Sequence, residues 1–301
     1  KQFSLKETEE YLQSRGCHWD RYQIMQCYMV MGGVPYYLSL LDVKQSVAQN
    51  IDRLFFEEKA ELKSEFDNLY SALFKYSERY ISIVKMLYDN RSGLTRDEIN
   101  KLYTYPDDNL TKIIRNLVQC DFIKETVQYE KGERSKIYRL TDYFTIFYFK
   151  FLKENLTGNE TWWQQNMLGT QVMSWSGLAF ERICESHVRQ LKRALGISAV
   201  ATDVSVWRKL RNQNSKGAQI DLIIKRADRI IHLCEMKFST SKFTISNSYE
   251  QELLERQAIF EETENIEETV VHTFVTTYGV KDGIHKSIVH SEVTMEDLYA
   301  E

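Results

Sequence analysis

The sequence predicts an α+β multidomain protein with a helical N-terminal half and a C-terminal domain of alternating helices and strands. Three observations predict this class. Residues 1–70 repeat apolar side chains at helical spacing and contain no strand pattern. Residues 71–140 combine helical stretches with two strand-like runs. Residues 171–301 follow the order helix, three strands, helix and strand, and this αβββαβ order favours a mixed sheet covered by helices.

Residues 1–70 are predicted to be helical throughout. Residues 4–7 (SLKE) have the form of a capping box and begin the first helix. The segment 32–35 (GGVP) ends a second helix, because Gly and Pro interrupt helical hydrogen bonding. Further helices are predicted from residue 36 and through residues 51–56.

Residues 71–140 have the pattern of a winged helix, in which three helices precede a two-stranded wing. The predicted elements are helices around residues 81–87, 99–102 and 110–117, and strands at 122–129 and 136–140 with a turn between them. Residues 141–170 then carry aromatic side chains on nearly all helical faces. This segment is therefore predicted to be a buried connecting helix.

Basic side chains of the predicted winged helix are candidates for DNA contact. Lys112 and Arg115 share the polar face of the third helix, and Arg134 lies in the wing with Lys131 and Lys136. A helix and a wing of this kind can contact adjacent DNA phosphates. Glutamates in the wing reduce its positive charge, and such domains also serve as plain connectors, so both interpretations stay open.

The C-terminal domain, residues 171–301, is predicted to begin with a helix from residue 177 to about 195. Strands follow at about 199–207, 219–225 and 229–238, then a helix over 249–264 and a strand over 270–276. The second helix is strongly acidic, because residues 250–268 hold eight Glu and one Arg.

Composition and charge restrict the class of protein. The 301 residues suit about two domains, and 43% hydrophobic with 27% charged residues is typical of a globular chain. No run approaches the ~18 apolar residues of a membrane span, and no signal peptide is recognisable. We therefore expect a cytoplasmic protein without membrane contact. Since residue 1 is Lys, we expect a piece of a longer chain.

The cysteines and the net charge argue against three classes of protein: zinc-binding, disulfide-stabilised and polycationic. Five cysteines are scattered and never spaced as Cys-x-x-Cys, which disfavours a zinc site or a disulfide framework and favours reduced thiols. The net charge is −4, so the chain is not a general polycation. Nucleic-acid binding would need a local basic patch.

The strongest chemical signal lies in a predicted β-hairpin. Asp221 interrupts one apolar run, and Glu235 and Lys237 interrupt the next. Because side chains alternate along a strand, Glu235 and Lys237 project from one face, and Asp221 on the paired strand can lie beside them. Two carboxylates and an amine can hold a divalent cation and activate a water. The alternative is a plain ion pair between Lys237 and either acid at a strand end.

A second basic group follows the first strand of this domain. It comprises Arg208, Lys209, Arg211 and Lys216, in a predicted loop. We expect the loop to border Asp221 and to bind a phosphate backbone, with affinity that falls as salt rises. The alternative is an exposed polar loop with ordinary charges.

Residues 177–237 resemble the PD-(D/E)XK nuclease superfamily, whose core has the order αβββαβ. The signature of this superfamily is an Asp on the second strand, Glu-x-Lys on the third and often a Glu on the first helix. The matching residues here are Asp221, Glu235-Met236-Lys237 and Glu181. The resemblance implies that Glu181, Asp221 and Glu235 ligate magnesium or manganese and that Lys237 is the catalytic lysine. Ile220 stands where the family usually has Pro. Some members bind without cleaving, so both outcomes stay open.

Three neighbouring polar residues are expected to lie outside this site. His187, six residues after Glu181, is expected on the surface. Gln251 and Gln257 are expected on the solvated face of the acidic helix rather than at the site.

Two upstream segments resemble prokaryotic AAA+-like ATPases of the archaeal-ATPase type. Residues 31–38 (MGGVPYYL) are similar to the lid motif of that group, and residues 138–151 to the segment after its winged helix. In these proteins an ATPase precedes a helical lid, a winged helix and a PD-(D/E)XK nuclease-like domain. Here those regions would be 1–70, 71–140 and 171–301, with 141–170 as the connecting helix.

The resemblance implies a C-terminal fragment of an ATPase. No Gly-x-x-x-x-Gly-Lys-Ser/Thr motif occurs in the sequence, so ATP would be bound only by the N-terminal domain that this sequence lacks. The implied partners are DNA and that ATPase domain, and the oligomeric state stays open. Two competing interpretations are a non-catalytic regulatory or protein-docking module and a transcription regulator that acts through the winged helix alone.

Overall fold

The computed structural model describes residues 2–106, 109–132, 135–153, 158–210 and 217–301. Contacts divide the chain into two compact units. Unit 1 comprises Lys1–Glu125 and Ile137–Ser176, and unit 2 comprises Thr126–Lys136 and Gly177–Glu301. Three residues predicted to bind nucleic acid, Arg134, Arg211 and Lys216, lie outside the described residues.

The first part of unit 1 is helical, as predicted. Its helices are α1 (Leu5–Ser14), α2 (Arg21–Met31), α3 (Pro35–Ser39), α4 (Val47–Ile51), which continues as a π-helical turn (Asp52–Phe56), and α5 (Glu65–Leu73). Ser4 and Glu7 form the expected capping box, because each side chain accepts the backbone N–H of the other residue. Gly33 has to be glycine, since a Cβ there would lie 2.0 Å from the Phe3 carbonyl oxygen.

The helices and strands predicted over residues 71–140 are present, with one addition. They are α6 (Ser77–Asp89), β1 (Leu94–Thr95), α7 (Arg96–Leu102), α8 (Leu110–Gln119), β2 (Ile123–Thr126) and β3 (Ile137–Leu140). In the described residues the strands form a sheet of order β1-β3-β2, with β1 antiparallel to β3. The strand β1 was not predicted, because its two residues are too few to show a period.

The aromatic segment forms two short helices, and the residues Gly158, Asn159 and Glu160, which are predicted to break the helix, lie between them. The helix α9 (Tyr143–Phe147) continues as a π-helical turn (Tyr148–Leu152), and α10 (Trp162–Asn166) follows. Burial is as expected, since Phe144 and Phe147 are at most 1% exposed. Asp52, 2% exposed, accepts the backbone N–H groups of Trp163 and Gln164 at 2.7 and 3.1 Å. This buried carboxylate fixes the start of α10.

Unit 2 is a mixed sheet with helices. Its elements are α11 (Thr170–Ser186, in unit 2 from Gly177), α12 (Val188–Ala194), β4 (Thr202–Lys209), β5 (Ala218–Arg226), β6 (Ile230–Lys237), α13 (Asn247–Glu264), β7 (Thr269–Thr276), β8 (Val289–Thr294) and α14 (Met295–Leu298). The described strands form a five-stranded sheet of order β4-β5-β6-β7-β8. The pairs β4–β5 and β5–β6 are antiparallel, and the pairs β6–β7 and β7–β8 are parallel.

The predicted order of elements is present with two differences: the first helix begins earlier and is divided into α11 and α12, and the order is extended at its C-terminal end. The predicted hairpin of β5 and β6 turns through Arg229, whose φ of 67° lies in the left-handed region. The edge strand β8 and the helix α14 were not predicted. The β8 sequence is VHSEVT, and its partial exposure leaves little apolar signal.

The segment that was predicted to be the wing belongs to unit 2. The Tyr129 N–H donates to the Val206 carbonyl at 2.9 Å, and the Val206 N–H donates to the Val127 carbonyl at 3.2 Å. The Tyr129 side chain is 3% exposed and packs in the core of unit 2 with Trp207 and Phe260. The predicted strand 122–129 therefore ends at Thr126, because the residues after it pair with β4 instead.

None of the helices in the described part of the chain combines the length and the apolar character that crossing a membrane requires.

Candidate functional site

The residues predicted from the nuclease signature lie on three elements of unit 2. Asp221 is on β5, Glu235 and Lys237 are on β6, and Glu181 is on α11. The antiparallel pairing of β5 with β6 sets Ile223 opposite Leu233. The recorded pairing ends there, and Asp221 and Glu235 each lie two residues beyond it, so a continued antiparallel register would set them at the same level.

The Glu235 carboxylate is held by two side chains of α13. The side chain is 8% exposed. Its Oε1 accepts from Nη1 of Arg256 at 2.6 Å, and its Oε2 accepts from the hydroxyl of Tyr249 at 2.7 Å. Both bonds are short, as expected for an ionised acceptor. The α13 helix therefore neutralises and orients this carboxylate.

Lys237 forms the second contact of Glu235 with a cation. Its Nζ lies 3.9 Å from Oε2 of Glu235, and it also lies 4.9 Å from the centre of the Tyr249 ring. The plain ion pair that was one interpretation of the sequence is thus present. It is longer than the Arg256 contact, so Lys237 is the less tightly engaged of the two cations.

Glu181 carries the perturbed pKa of the site. The pKa of its carboxyl is raised from 4.5 to about 7: burial is the largest cause, the negative charge of Asp221 adds to the rise, and the positive charge of Lys237 opposes it. Asp221 and Lys237 therefore each lie within electrostatic range of Glu181. The side-chain amide of Gln219 donates to Oδ1 of Asp221 at 2.6 Å and orients this second carboxylate.

The acids form two halves of one cluster, Glu181 with Asp221 and Glu235 alone, and Lys237 acts on both halves. It lies 3.9 Å from Glu235, and its positive charge opposes the rise in the pKa of Glu181. A carboxyl group whose pKa lies near neutrality beside a second acid is typical of a site that takes up a proton or a cation. The half with Glu181 and Asp221 has this character, whereas the half with Glu235 is already compensated.

The predicted set of metal ligands fits a divalent cation only in part. Among the residues that the structure describes, no three His, Cys, Asp or Glu side chains are arranged to hold a metal ion. Glu181 and Asp221 fit, because a cation would relieve the repulsion between their charges. Glu235 fits less well, since Arg256 and Tyr249 already bond to its two oxygens and the charge of Arg256 would repel a cation there. Movement of Arg256 away from Glu235 would favour joint ligation by all three acids.

Arg208 and Lys209 lie on β4 rather than in the loop where they were expected. Arg208 is paired with Gln219 and Lys209 with Ala218 on β5. These two partners precede Asp221 by two and three residues along the strand. With Lys131 they line a cleft of about 390 Å³. The Nζ of Lys209 donates to Oγ1 of Thr263 at 3.0 Å. The wing segment therefore contributes a third cation to this face of unit 2.

Lys112 and Arg115 lie on α8 of unit 1, and both are exposed. Lys112 lines a pocket with Lys75 and Arg79, and Arg115 is not among the lining residues. The third polar residue of this helix, Asn116, donates to the Tyr80 hydroxyl at 2.9 Å. On the polar face predicted for α8, Lys112 therefore lines a pocket, whereas Arg115 lies outside it.

Tyr249 and Arg256 are site residues that the sequence analysis missed. They are seven residues apart on α13, which is about two helical turns and places them on one face. Arg256 is also the one basic residue in the acidic segment 250–268, and that isolation was a usable signal. Gln251 is exposed, and Gln257 bonds to His272 at 2.8 Å and to Glu261 at 2.7 Å.

His187 was expected on the surface, and this expectation is wrong. It is 3% exposed and lies at the break between α11 and α12. Its Nδ1 lies 2.8 Å from the Ile183 carbonyl, and burial lowers the pKa of the imidazole. The histidine therefore bonds to the end of α11, a structural role that its spacing from Glu181 did not indicate.

Comparison with known proteins gives a distant similarity. An uncharacterized protein of Methanocaldococcus jannaschii is 23% identical over 205 residues, which cover 67% of this chain and 44% of that protein. This chain thus spans less than half the length of that relative. No protein-family model and no solved structure matches the chain.

Proposed function

We propose that this chain is the C-terminal, nucleic-acid-directed part of an AAA+-like ATPase, and that unit 2 carries a PD-(D/E)XK nuclease-like site for a phosphodiester. The observation that supports this proposal is the cluster around Lys237. The lysine lies 3.9 Å from Glu235 and within electrostatic range of the half-buried Glu181, whose pKa Asp221 raises. A plain ion pair at a strand end does not account for the two further carboxylates.

Each residue of the cluster has a role in this proposal. Glu181 and Asp221 would hold magnesium or manganese, which lowers the pKa of a bound water and polarises the phosphoryl group. Lys237 offsets the charge that develops on the phosphate oxygens and orients the attacking water. Glu235 holds Lys237 in place through its 3.9 Å contact. The backbone of the substrate would continue along Arg208 and Lys209 on β4.

In this proposal Arg256 determines whether Glu235 is available to bind a metal ion. A guanidinium binds carboxylate and phosphate with the same geometry of two parallel hydrogen bonds. Arg256 can therefore exchange Glu235 for a phosphate oxygen when a phosphodiester enters. The exchange would free Glu235 as a third ligand at the moment when the substrate is present.

A test of the proposal combines DNA binding with plasmid nicking, each in manganese and in EDTA. We expect manganese to strengthen binding of the wild type and Asp221→Ala to abolish that gain. Lys237→Ala should retain the manganese effect on binding and lose nicking. Asp203→Ala, which removes an exposed aspartate of β4, is the matched control and should behave as the wild type does.

A second candidate function is favoured by the Arg256–Glu235 ion pair. Nη1 of Arg256 lies 2.6 Å from Oε1 of Glu235 and neutralises its charge. Unit 2 can therefore be a non-catalytic regulatory or docking module of the ATPase. The exposed glutamates of α13, such as Glu252 and Glu262, would then be its partner surface. Manganese-independent DNA binding with no nicking, unchanged by Asp221→Ala, would favour this module over the nuclease-like site.

A further inference from the structure

A pocket of about 330 Å³ lies in unit 1 between α8 and the turn that joins α5 to α6. Three cations line it: Lys75 and Arg79 from the turn and the start of α6, and Lys112 from α8. The described lining residues include no aspartate or glutamate. The pocket thus concentrates positive charge in a chain whose net charge is −4, and such a concave site attracts anions.

Among the residues that the structure describes, no carboxylate stands at ion-pair distance from Lys75, Arg79 or Lys112. The contacts that the structure gives to two of them are with aromatic rings instead. The Lys75 Nζ is 5.3 Å and the Arg79 Cζ is 5.4 Å from the centre of the Tyr76 ring. These contacts position the cations without satisfying their charge.

Tyr76 is itself unusual in conformation and exposure. Its φ of 65° lies in the left-handed region, which a bulky side chain rarely adopts. The residue is 58% exposed at the edge of the pocket. A second ring, that of Tyr105, lies 5.8 Å from the guanidinium of Arg79. An exposed aromatic ring in a strained backbone position beside cations is more typical of a ligand site than of packing.

We propose that this pocket binds single-stranded nucleic acid. The phosphates contact Lys75, Arg79 and Lys112, and an unstacked base lies against the Tyr76 ring. The pocket volume suits about one nucleotide, whereas a duplex keeps its base faces stacked inside and offers only phosphates to a concave site. The proposal extends the nucleic-acid part of the proposed function and stands without the unit 2 site, because it needs no divalent cation.

Fluorescence anisotropy of a labelled twelve-residue oligothymidine tests this proposal on the full chain in EDTA. We expect Lys112→Ala to weaken binding by three- to tenfold and to reduce the slope of log K against log salt by about 0.7, the value for one lost phosphate contact on a single strand. Tyr76→Asn keeps a residue that tolerates the left-handed region and removes the ring. It should weaken binding by roughly tenfold with little change of salt slope.

Two further measurements make the outcome decisive. Lys101→Ala removes an exposed lysine of α7 that does not line the pocket and should bind as the wild type does. The loss of affinity in Lys112→Ala should be equal in manganese and in EDTA, which separates this site from the one in unit 2. Equal binding of a DNA duplex, equal competition by polyglutamate, or wild-type affinity in Lys112→Ala would each overturn the proposal.

Discussion

At Glu181, burial and the neighbouring charge of Asp221 act in the same direction. Burial is the larger cause, and together they raise the pKa of the carboxyl from 4.5 to about 7 in the folded protein. Between these two values the folded state binds more protons than the unfolded state. The contribution of this proton to stability is therefore full below pH 4.5 and is lost as the pH rises through 7.

This difference predicts the behaviour of Glu181→Gln. The substitution removes a buried charge, so we expect the free energy of unfolding to rise at pH 8 by up to about 3 kcal/mol and to change little at pH 4.5. Chemical denaturation at the two pH values measures the effect. The exposed Glu262→Gln is the matched control. An equal effect of Glu181→Gln at both pH values would show that its carboxyl is not perturbed in this way.

The ion pair of Arg256 with Glu235 predicts a second stability effect. Arg256→Ala leaves a buried carboxylate without its nearer cation, and we expect it to destabilise the fold by about 3 kcal/mol. In a Glu235→Gln background the same change should have a much smaller effect. A double-mutant cycle by urea denaturation measures the coupling. Glu252→Gln, which removes the exposed partner of Arg256 at 3.4 Å, should change stability by less than about 1 kcal/mol, and additive effects would argue against the pair.

The site residues differ in how far the sequence could identify them. Asp221, Glu235 and Lys237 interrupt apolar strands, and that conflict with burial marks them directly. Tyr249 and Arg256 contact Glu235 from 14 and 21 positions away. No local period records such a contact, because it depends on how α13 packs on the sheet.

At the scale of elements, the wing segment shows where a local pattern fails. The strand-like run after residue 122 was correctly identified as extended. Its partner was not identified, since residues 127–129 bond to β4 rather than continuing beside β3. Pairing between strands far apart in sequence is not encoded in the period of either strand.

The docking of this segment predicts that Tyr129 supports unit 2. Tyr129→Ala removes a ring that is 3% exposed and lies 5.1 Å from the Phe260 ring. We expect a loss of about 3 kcal/mol in the free energy of unfolding. Lys131→Ala, an exposed change in the same segment, should stay within about 0.5 kcal/mol. If Tyr129→Ala were as mild as Lys131→Ala, the segment would not be part of the core.

The C-terminal end of unit 2 shows a second limit of local pattern. The helix α13 and the strand β7 begin within two residues of their predicted starts, although the buried residues of α13 are only Leu253 and Phe260. The strand β8 lies beside β7 in parallel. Its burial alternates, but Val289 and Val293 are its only two apolar residues and are too few to predict a strand.

At the scale of the whole molecule, the two units carry two proposed sites with different requirements. The proposed unit 2 site is acidic with one lysine at its centre and would need a divalent cation for cleavage. The unit 1 pocket is lined by cations, and the binding proposed there would need none. The dependence on manganese therefore distinguishes the two proposed sites with the same nucleic acid. The spacing of apolar residues predicts the α+β class and the order of the elements. It does not predict the cation-lined pocket of unit 1 or the contact of Arg256 with Glu235.

The central claim is that Glu181 and Asp221 form a cation site beside Lys237, and manganese titration calorimetry at pH 7 tests it most directly. The titration is run in two buffers of different ionisation enthalpy, so that a difference in heat reports proton release. We expect manganese binding to release protons, because the cation displaces the proton of Glu181. Asp221→Ala should abolish the binding, and Arg256→Ala should strengthen it by freeing Glu235. No manganese binding in either the wild type or Arg256→Ala would contradict the claim.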